Sequence, residues 1–393
     1  MSSPRPLRVL ELRTVRGTGG GPDKTILLGT ARTNPEKYAV TICYIRDARD
    51  TVYNIDQRAR QLPVTYIEVM ERHSVDWRIW PALRRVVRER SIDIVHGHDY
   101  KTNVLALLLA KAEGVIPVTT AHGWVGKGSK ELNLYFPLDR RLQRFFAHVI
   151  AVSTDIKQAI VGCGTRPERV TVVLNGVDPD RFHRDTTLRP SARAEFDIPA
   201  DAVAIGAVGR LEPEKNFSML IRAFARVRDR FPNAVLLIAG GGSLDARLQQ
   251  EAAALGLSRR EFRMLGLIDK VPLLHHALDV YVQSSDEEGT ANAVLEAMAL
   301  ETPIVATDVG GTSEVARHGL EALIVPRGDE DATVAAILDA LADPEAARMR
   351  ASAGRTRVET ELSFDLRTRR VEAVYDAVAA RAGIRLQPSS VHA

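Results

Sequence analysis

The sequence predicts an α/β protein of two domains, each built around a parallel β-sheet. Short runs of apolar and β-branched residues alternate with helical stretches along most of the chain, which is typical of βαβ units. Several of these runs end in glycine, histidine or charged residues, and ligands bind parallel sheets at the carboxyl ends of their strands. With 393 residues, the chain is long enough for two domains that each bury a core.

Composition sets the first limits on function. Apolar residues make up 45% of the chain and charged residues 26%, and no run reaches the roughly 18 apolar residues of a membrane-spanning helix. Only two cysteines occur, and the residues after Met1 contain no apolar signal segment. We therefore expect a cytoplasmic protein.

Positive charge is concentrated in the first half of the chain. Lys and Arg outnumber Asp and Glu by 30 to 20 in residues 1–190, whereas acidic residues outnumber basic ones by 30 to 23 in residues 191–393. The asymmetry favours an anionic partner for the first half, either a phosphorylated acceptor or an anionic membrane surface, but scattered surface arginines without a partner would produce it too. A nucleic acid is not expected among the partners.

A glycine-rich loop follows the first predicted strand, Leu7–Leu12, and leads into a helix. Glycine lets a backbone approach a phosphate or a sugar closely, although the loop could be only a flexible turn. The dinucleotide-binding pattern G-x-G-x-x-G fails here, because Pro22 stands at its last position and no acid follows about twenty residues later. An NAD-dependent oxidoreductase is therefore the weakest candidate.

Polar residues follow the predicted strands Ile92–Val95 and Pro117–Ala121. These residues are His96, His98, Asp99, Lys101 and His122. Three histidines could indicate a metal site, but no cysteine or further nearby carboxylate completes a zinc-like set of ligands, so no metal is expected. His96 on its own is expected to be a core histidine that bonds to the backbone.

Two cations follow the predicted strand Ala204–Val208 in the second half. Arg210 and Lys215 flank a turn and could hold a diphosphate from two sides, the arginine through paired hydrogen bonds and the lysine as a point charge. The alternative is a pair of surface cations neutralised by Glu212 and Glu214. Glycines recur after the strands of this half, at Gly209, Gly240, Gly310 and Gly311.

Two glutamates lie in the stretch 284–307, which reads as a loop, a helix from about Asn292 and a strand. Glu288 lies in the loop and Glu296 in the helix, so both can face the helix N-terminus. Because that terminus favours anions, a phosphate-bearing ligand whose sugar hydroxyls bind the carboxylates fits the pattern. One solvated loop acid and one helix-surface acid are the alternative.

In combination, these motifs resemble those of the family 4 glycosyltransferases, which are retaining enzymes of the GT-B fold. The residues that match the family's E-x7-E signature and the helix and strand around it are Glu288, Glu296, Ala297, Met298, Ala299, Pro303, Ile304, Val305 and Ala306. Further matches at 93–101, 120–123, 175–182 and 209–216 extend the resemblance over nearly the whole chain. Glu301 departs from the pattern, because the family usually has glycine there, and this puts the local turn in question.

The resemblance implies two Rossmann-like domains with parallel sheets that face a central cleft. Residues 1–190 would form the acceptor-binding domain, residues 191–365 the nucleotide-sugar-binding domain, and residues 366–383 a helix that crosses back to the first domain. The chain from 329 to 381 is predicted to be helical throughout, and the tail 384–393 is expected to be disordered.

The resemblance also implies a reaction. The enzyme would move a sugar from a nucleotide-diphosphate-sugar to a hydroxyl of a saccharide or lipid-linked acceptor, with retention, in polysaccharide or glycolipid biosynthesis and without a resident cofactor. The catalytic candidates at the matching positions are Arg210, Lys215, Glu288 and His122. The donor-binding candidates are Gly20, Gly21, Gly209, Gly240, Glu296, Gly310 and Gly311, and the acceptor-side candidates are His98, Asp99 and Lys101.

Two other functions stay open at this point. A sugar-nucleotide epimerase can share the fold and needs no acceptor, and a non-catalytic nucleotide-sugar-binding protein would keep the pocket without the reaction. The nucleotide base, the sugar, the acceptor and the oligomeric state are not encoded in any motif of the sequence.

The stretch 76–90 predicts an amphipathic helix with a basic border. Its apolar stripe and bordering arginines are Trp80, Leu83, Val87, Arg84, Arg85 and Arg88. Such a helix either packs on its own sheet or lies on an anionic membrane, in which case the enzyme would be held peripherally at the inner face of the plasma membrane.

Overall fold

Sheets of parallel strands form both halves of the chain, as the alternation of apolar runs predicts. The computed structural model describes residues 5–124 and 131–386, and the chain divides into two units. Unit 1 comprises Met1–Asn175 together with Phe364–Ala393, and unit 2 comprises Gly176–Ser363.

Unit 1 contains a seven-stranded sheet with the strand order β3-β2-β1-β4-β5-β6-β7. The strands are β1 (Leu7–Val15), β2 (Tyr38–Asp47), β3 (Thr65–Glu71), β4 (Ile94–Gly97), β5 (Ile116–Ala121), β6 (His148–Ala151) and β7 (Val170–Val172). Each neighbouring pair is parallel. All the carboxyl ends of these strands therefore lie at one edge of the sheet.

Helices connect these strands. They are α1 (Gly21–Arg32), α2 (Ile55–Arg60), α3 (Ile79–Glu89), α4 (Tyr100–Glu113), α5 (Phe136–Leu142) and α6 (Thr154–Gly162). A π-helical turn, Glu131–Tyr135, precedes α5, and 3-10 turns form at Gln143–Phe145 and Pro167–Arg169.

Unit 2 contains a six-stranded parallel sheet with the strand order β10-β9-β8-β11-β12-β13. The strands are β8 (Val203–Val208), β9 (Ala234–Ala239), β10 (Phe262–Gly266), β11 (Val280–Gln283), β12 (Ile304–Thr307) and β13 (Leu323–Val325). The helices are α7 (Arg189–Glu195), α8 (Phe217–Arg228), α9 (Asp245–Ala254), α10 (Val271–Ala277), α11 (Asn292–Ala299), α12 (Thr312–Val315), α13 (Glu330–Ala342) and α14 (Pro344–Glu361), with 3-10 turns at Thr186–Leu188 and Pro213–Lys215.

The last helix, α15 (Phe364–Arg381), belongs to unit 1 although it follows unit 2 in the chain. Its residues Val371, Val374 and Val378 pack against Leu7 and Val9 of β1. The prediction that the C-terminal helix returns to the first domain is thereby confirmed. The opposite face of the same sheet is covered by α3, α4 and α6.

The chain from 329 to 381 is helical except at Asp329, Asp343 and residues 362–363, which agrees with the sequence prediction. Helices α13, α14 and α15 are separated at Asp343 and at residues 362–363. Asp343 accepts a hydrogen bond from the backbone N–H of Ala346 at 3.0 Å and so caps α14. Pro344, which follows it, has no N–H to continue the preceding helix. Strand β13 is a further element that the sequence did not predict.

Residues 176–190, predicted at the end of the first domain, lie in unit 2. Arg184 donates to the carbonyl oxygen of His275 at 3.0 Å, and Arg355 donates to that of Phe182 at 2.6 Å. At the other end of the chain, Leu386 forms a parallel bridge with Arg5, so part of the tail 384–393 is paired within unit 1. Residues 387–393 of that tail lie outside the described residues.

Helix α3 packs on its own sheet, which was one of the two outcomes expected for this amphipathic stretch. Leu83 and Val87 are buried in the core, and Arg84 and Arg88 both form ion pairs with Glu113 of α4. Within the described residues, no helix is both long and apolar enough to span a membrane.

The turn after α11 forms although glutamate occupies the position where glycine was expected. The N–H of Thr302 bonds to Ala297 O at 3.0 Å and that of Glu301 to Met298 O at 3.1 Å, which is the Schellman pattern of a helix C-terminus. Glu301 has a φ of 48°, in the left-handed region where a Cβ is unfavourable. The turn is therefore kept at a cost in backbone energy.

We expect Glu301→Gly to stabilise the protein by about 1 kcal/mol, because glycine removes the cost of the left-handed conformation. Urea or thermal unfolding measures the change. Glu301→Ala is the matched control, since it also removes the charge but keeps the Cβ, and it should give no such gain. Equal stability of the two variants would show that the backbone of Glu301 is not strained.

Candidate active site

The strand order of unit 2 reverses between β8 and β11. Strands β8, β9 and β10 extend to one side and β11, β12 and β13 to the other, and Tyr281 of β11 pairs directly with Gly206 of β8. The helices after β8 and β11 run to opposite sides of such a point, which leaves a crevice at the carboxyl ends of the two strands. The loops that follow β8 and β11 are therefore the natural place for a ligand in this unit.

Glycine makes the approach of neighbouring loops possible at this edge. A Cβ built on Gly240, after β9, would lie 1.8 Å from the carbonyl oxygen of Gly209, after β8. A Cβ on Gly310, after β12, would lie 1.9 Å from the carbonyl oxygen of Glu288, and Gly310 has a φ of 51°. Both contacts exclude any larger residue without a shift of the backbone, so these two predicted donor-side glycines shape the loops that hold Gly209 and Glu288.

Arg210 and Lys215 flank the turn after β8, and each has an acidic partner. The Arg210 side chain, 58% exposed, donates to Glu214 at 2.6 Å, whereas the Lys215 side chain is only 19% exposed and pairs with Glu288. The neutralisation of Arg210 by Glu214 is one contact that the surface-cation alternative expects. Glu212, the other acid of that alternative, instead accepts from Ser243 Oγ at 2.7 Å.

The pair of Lys215 and Glu288 ties the loop after β8 to the loop after β11. The carboxylate of Glu288 also accepts hydrogen bonds from Ser285 Oγ at 2.7 Å and Gln283 Nε2 at 3.1 Å. A second contact between the two loops runs from Ser284 Oγ to the carbonyl oxygen of Lys215 at 2.9 Å. Glu288 is thus held by three donors at one oxygen, and its orientation is fixed before any ligand binds.

Glu296 is the fifth of the eight residues of α11, the helix that follows the Glu288 loop. The helix begins at Asn292, where the sequence placed its start, and Glu296 is half-buried. Gly311, also predicted on the donor side, bonds through its N–H to the carbonyl oxygen of Gly289 at 2.9 Å. The structure therefore brings the Glu288 loop, the helix that carries Glu296 and the turn at Gly311 to the same edge of the sheet of unit 2.

Unit 1 has its own reversal of strand order, between β1 and β4. The glycine-rich loop follows β1, and the N–H of Gly20 donates to the buried carboxylate of Asp23 at 2.7 Å as α1 begins at Gly21. Asp23 also accepts from Tyr44 Oη at 2.9 Å. This acid, which sequence reasoning did not single out, holds the loop against the sheet.

Asp99 and Lys101, two of the predicted acceptor-side residues, follow β4 and make protein contacts. Asp99 caps α4 by accepting from the backbone N–H groups of Lys101 and Thr102, at 3.0 and 2.9 Å, and from that of Thr14 at 2.8 Å. The ammonium group of Lys101 pairs with Glu71 of β3. Asp99 therefore stabilises the start of α4, independently of any contact that it makes with an acceptor.

The third acceptor-side residue, His98, belongs to a buried cluster around Glu11 of β1. Its Nε2 bonds to Glu11, and its Nδ1 lies 3.0 Å from His122 Nε2. His96 lies 2.7 Å through Nδ1 from Tyr375 Oη and 2.8 Å through Nε2 from Thr120 Oγ1. His96 is thus bound by side chains rather than by backbone. His98 stacks on both other rings, with centroid distances of 4.3 Å to His96 and 5.3 Å to His122.

Burial and neighbouring charges set the protonation of this cluster. Burial raises the pKa of the Glu11 carboxyl, but attraction to His96 and His98 outweighs it, so the pKa lies well below its usual range. Burial, together with repulsion by His96, lowers the pKa of His98 to about 4. Burial likewise lowers the pKa of His122 well below its usual value, and repulsion by His98 and Arg13 acts in the same direction. Glu11 is therefore ionised, and His98 and His122 are neutral, near pH 7.

Glu11 supplies the nearby carboxylate that sequence reasoning did not find for the histidines. Ligand atoms of Glu11, His96 and His98 lie within 4.8 Å of one another, a set that could hold a metal ion among the described residues. Each ring nitrogen of His96 and His98, however, already has a protein partner. A metal would have to displace those hydrogen bonds.

Comparison with known proteins identifies the family. The family model for glycosyl transferases group 1 matches residues 189–357, and the model for glycosyltransferase family 4 matches residues 29–181. A glycogen synthase of Mycobacterium tuberculosis is 31% identical over 305 residues, which cover 75% of this chain and 70% of that protein. The chain belongs to glycosyltransferase family 4. This result confirms that it is a glycosyltransferase of glycan biosynthesis, and neither alternative function finds support.

Two further similarities place this glycosyltransferase among its relatives. A GDP-mannose-dependent alpha-(1-6)-phosphatidylinositol monomannoside mannosyltransferase of Mycolicibacterium smegmatis is 35% identical over 188 residues, covering 46% of this chain and 49% of that protein. The crystal structure of HepE from Anabaena in complex with UDP-glucose superposes with a TM-score of 0.81 at 19% identity, covering 94% of this chain and all of that one. This superposition confirms the fold class.

Glu11 and Tyr375 are the site residues of this glycosyltransferase that sequence reasoning missed. Glu11 is the one carboxylate within the apolar run Leu7–Leu12, and a charged residue inside a strand of a buried parallel sheet is a signal of a polar partner. Tyr375 gave no such signal, because it stands 364 positions from Glu11 and reads as an ordinary apolar-face residue of the last helix.

Proposed function

We propose that this glycosyltransferase moves a sugar from a nucleotide-diphosphate-sugar to an acceptor hydroxyl and retains the configuration at the anomeric carbon. The observation that carries the proposal is the pairing of Lys215 with Glu288 at the strand reversal of unit 2. A cation and a carboxylate fixed side by side meet the two needs of such a donor, a charge for the diphosphate and an acceptor for the sugar hydroxyls.

The diphosphate is assigned to Arg210 and Lys215. Arg210 is more than half exposed, and its one described partner by hydrogen bond is Glu214, so its remaining N–H groups can turn to a phosphate. Lys215 has three N–H donors and shares its charge with Glu288. Gly240 and Gly310 let the neighbouring loops pack against the carbonyl groups of Gly209 and Glu288, which positions the loops that carry these side chains.

Catalysis then rests on the departure of the diphosphate. Positive charge builds on the sugar ring as the bond to the phosphate breaks, and negative charge builds on the leaving group. Arg210 and Lys215 would stabilise that negative charge, Glu288 would orient the sugar and Glu296 would bind the ribose hydroxyls. No residue is assigned as a covalent nucleophile, and the donor phosphate itself would take the proton of the acceptor, which is consistent with retention.

We assign the acceptor to the carboxyl edge of the sheet in unit 1, with His98, Asp99 and Lys101 as its neighbours and His122 facing the sugar or the acceptor. A saccharide or a lipid-linked saccharide fits this proposal as the acceptor. No resident metal is expected, because the ring nitrogens of His96 and His98 are already engaged in hydrogen bonds. UDP-sugars are the first donors to test, since HepE binds UDP-glucose.

We expect Lys215→Ala to lower kcat by two or more powers of ten, which corresponds to about 3 kcal/mol of lost transition-state stabilisation. The loss should fall on kcat more than on KM, because the charge matters most as the diphosphate departs. Steady-state kinetics with the best donor measures both constants.

Lys270→Ala is the matched control for this experiment. Lys270 also pairs with a glutamate, Glu195, but it is exposed and lies in the loop between β10 and α10 rather than in the loops after β8 and β11. It should leave both constants unchanged. A Lys215→Ala enzyme with normal kcat and only a raised KM would exclude the assigned role in leaving-group departure.

We further propose that the enzyme associates peripherally with an anionic membrane on its cytoplasmic side. Two of the three arginines named on α3 are poor candidates for this contact, since Arg84 and Arg88 are paired with Glu113, which leaves only Arg85 exposed without a described ion pair. A better surface lies on α4 and around α5, where apolar side chains are exposed, and we call it the α4–α5 surface. Its apolar members are Tyr100, Val104, Leu108, Leu134, Tyr135, Leu138 and Phe145.

Charge and a relative support this surface. Arg141 and Arg144 are exposed beside the apolar side chains, and each basic residue near an anionic surface contributes roughly 1 kcal/mol. Exposed apolar patches of this kind mark interaction surfaces. The mannosyltransferase relative carries a phosphatidylinositol-linked sugar in its name, and a membrane-bound acceptor would require such contact.

We expect the protein to sediment with anionic liposomes at low salt but not with neutral liposomes, and to be released at high salt. The double variant Leu138→Ser with Phe145→Ser should weaken the binding. Leu267→Ser in unit 2 is the matched control, because Leu267 is an even more exposed leucine, at 85% against 46% for Leu138, outside the α4–α5 surface. Equal sedimentation in all four liposome and salt conditions would contradict the membrane proposal.

A further inference from the structure

The buried cluster of Glu11, His96, His98, His122 and Tyr375 has a single consistent arrangement of protons. We propose that Glu11, acting through His98, fixes the direction of the hydrogen bond to His122, so that His122 meets its ligand as a neutral ring with an accepting Nδ1. Glu11 and His98 are then positioning residues for His122. The ligand that His122 meets rests on the proposed function, whereas the direction of the hydrogen bond does not.

Glu11 carries an ionised carboxylate, which can only accept hydrogen bonds. Its two oxygens receive Tyr375 Oη, at 2.7 Å, and His98 Nε2. Both partners must therefore donate, and the proton of a neutral His98 must lie on Nε2. His98 is enclosed, with 4% of its side chain exposed, so solvent water does not compete for these hydrogen bonds.

The proton on His98 Nε2 determines the next hydrogen bond. A neutral imidazole carries one N–H, so Nδ1 of His98 is a bare acceptor. His122 Nε2 lies 3.0 Å from this nitrogen, and a hydrogen bond between them requires the proton to sit on His122 Nε2. In neutral His122 the remaining nitrogen, Nδ1, is then unprotonated and accepts hydrogen bonds.

The second branch of the cluster obeys the same logic. Because Tyr375 donates its one proton to Glu11, its oxygen must accept from His96 Nδ1, which lies 2.7 Å away. In the neutral form of His96, Nε2 is then bare and accepts from Thr120 Oγ1 at 2.8 Å. One carboxylate thus sets the protons of three histidines and a tyrosine, and His96 takes the opposite tautomer from His98.

The charged groups packed around the cluster support one anionic centre rather than several cationic rings. Arg13 of β1 donates to the carbonyl oxygen of His98 at 2.7 Å, and Arg367 of α15 is buried. Attraction to Glu11 opposes the effect of burial on Arg367, whose pKa burial lowers to about 10. Arg367 compensates the charge of Glu11, Arg13 faces Asp23 and Asp99, and both guanidinium groups disfavour a proton on His122 by repulsion.

The consequence for the reaction is a restriction on chemistry. A ring fixed in this state offers no N–H to its ligand and is not a general acid near pH 7. It can accept a hydrogen bond from a hydroxyl of the sugar or of the acceptor, and it would reject a group that can only accept. His122 would therefore select a ligand group that can donate a hydrogen bond, such as a hydroxyl.

Solution NMR on the full chain with 15N-labelled histidine tests the proton arrangement without any substrate. A correlation through the N–H···N hydrogen bond should join the ring N–H of His122 Nε2 to Nδ1 of His98, and the ring N–H of His96 should be on Nδ1. The chain has ten histidines, so His98→Phe and His122→Gln assign the signals by their disappearance. A correlation that starts from an N–H on His98 Nδ1, or a doubly protonated His122 at pH 7, would overturn the proposal.

Glu11→Met removes the acceptor at similar size and should reverse the correlation, because His98 then keeps its proton on Nδ1 and donates to His122. Tyr375→Phe is the matched control: it removes the other hydrogen bond to Glu11, leaves His96 Nδ1 facing the Glu11 carboxylate at 3.3 Å, and should leave the His98–His122 direction unchanged. An unchanged direction in a folded Glu11→Met protein, or a reversed one in Tyr375→Phe, would contradict the role of Glu11. If Glu11→Met does not fold, the correlation in the unmodified protein still decides the direction of the hydrogen bond between His98 and His122.

The outcome separates this inference from the proposed function. A protein with the expected correlation that transfers no sugar would refute the function alone. A protein with the opposite correlation and normal transfer would refute the role of Glu11 alone.

Discussion

The ion pair between Lys215 and Glu288 is the contact on which the donor side of unit 2 depends. It joins the two loops that leave the sheet where the strand order reverses, and the Glu288 carboxylate is held further by Ser285 and Gln283. A parallel sheet leaves its strand ends close together, but it does not fix the loops that follow them. Here a partly buried pair of opposite charges fixes the loops. A phosphate of the donor could replace Glu288 as the partner of Lys215 without a large rearrangement.

Unit 1 shows how a distant part of the chain can set the chemistry of a strand end. Helix α15 follows the whole of unit 2, yet it covers the sheet of unit 1 and places Tyr375 against Glu11. The tyrosine and His98 share the two oxygens of one carboxylate. Loss of the helix would leave Glu11 with an unsatisfied oxygen in a buried site, which is costly, and would expose the apolar face that it covers.

The parts of the structure that local sequence encodes could be predicted, and the parts that depend on distant contacts could not. Glu288, Lys215 and their glycine neighbours stand in short motifs at the ends of apolar runs, so their places at one sheet edge followed from the period of the strands. The left-handed turn at Glu301 was in question because the usual glycine is missing, and hydrogen bonds from the helix carbonyls supply the reason it still forms. The partners of Glu11 could not be found, because no spacing relates a residue of β1 to one of α15.

A thermal-shift titration of the purified protein with UDP-, GDP-, ADP- and dTDP-sugars tests the central claim, a nucleotide-sugar site at the strand reversal of unit 2. A ligand that binds only the folded protein stabilises it by about 2.7 kcal/mol at a concentration one hundred times its Kd. The account predicts that at least one nucleotide-sugar raises the Tm in a saturable way and that the free sugar does not. The absence of a shift with every nucleotide-sugar at millimolar concentration would contradict it.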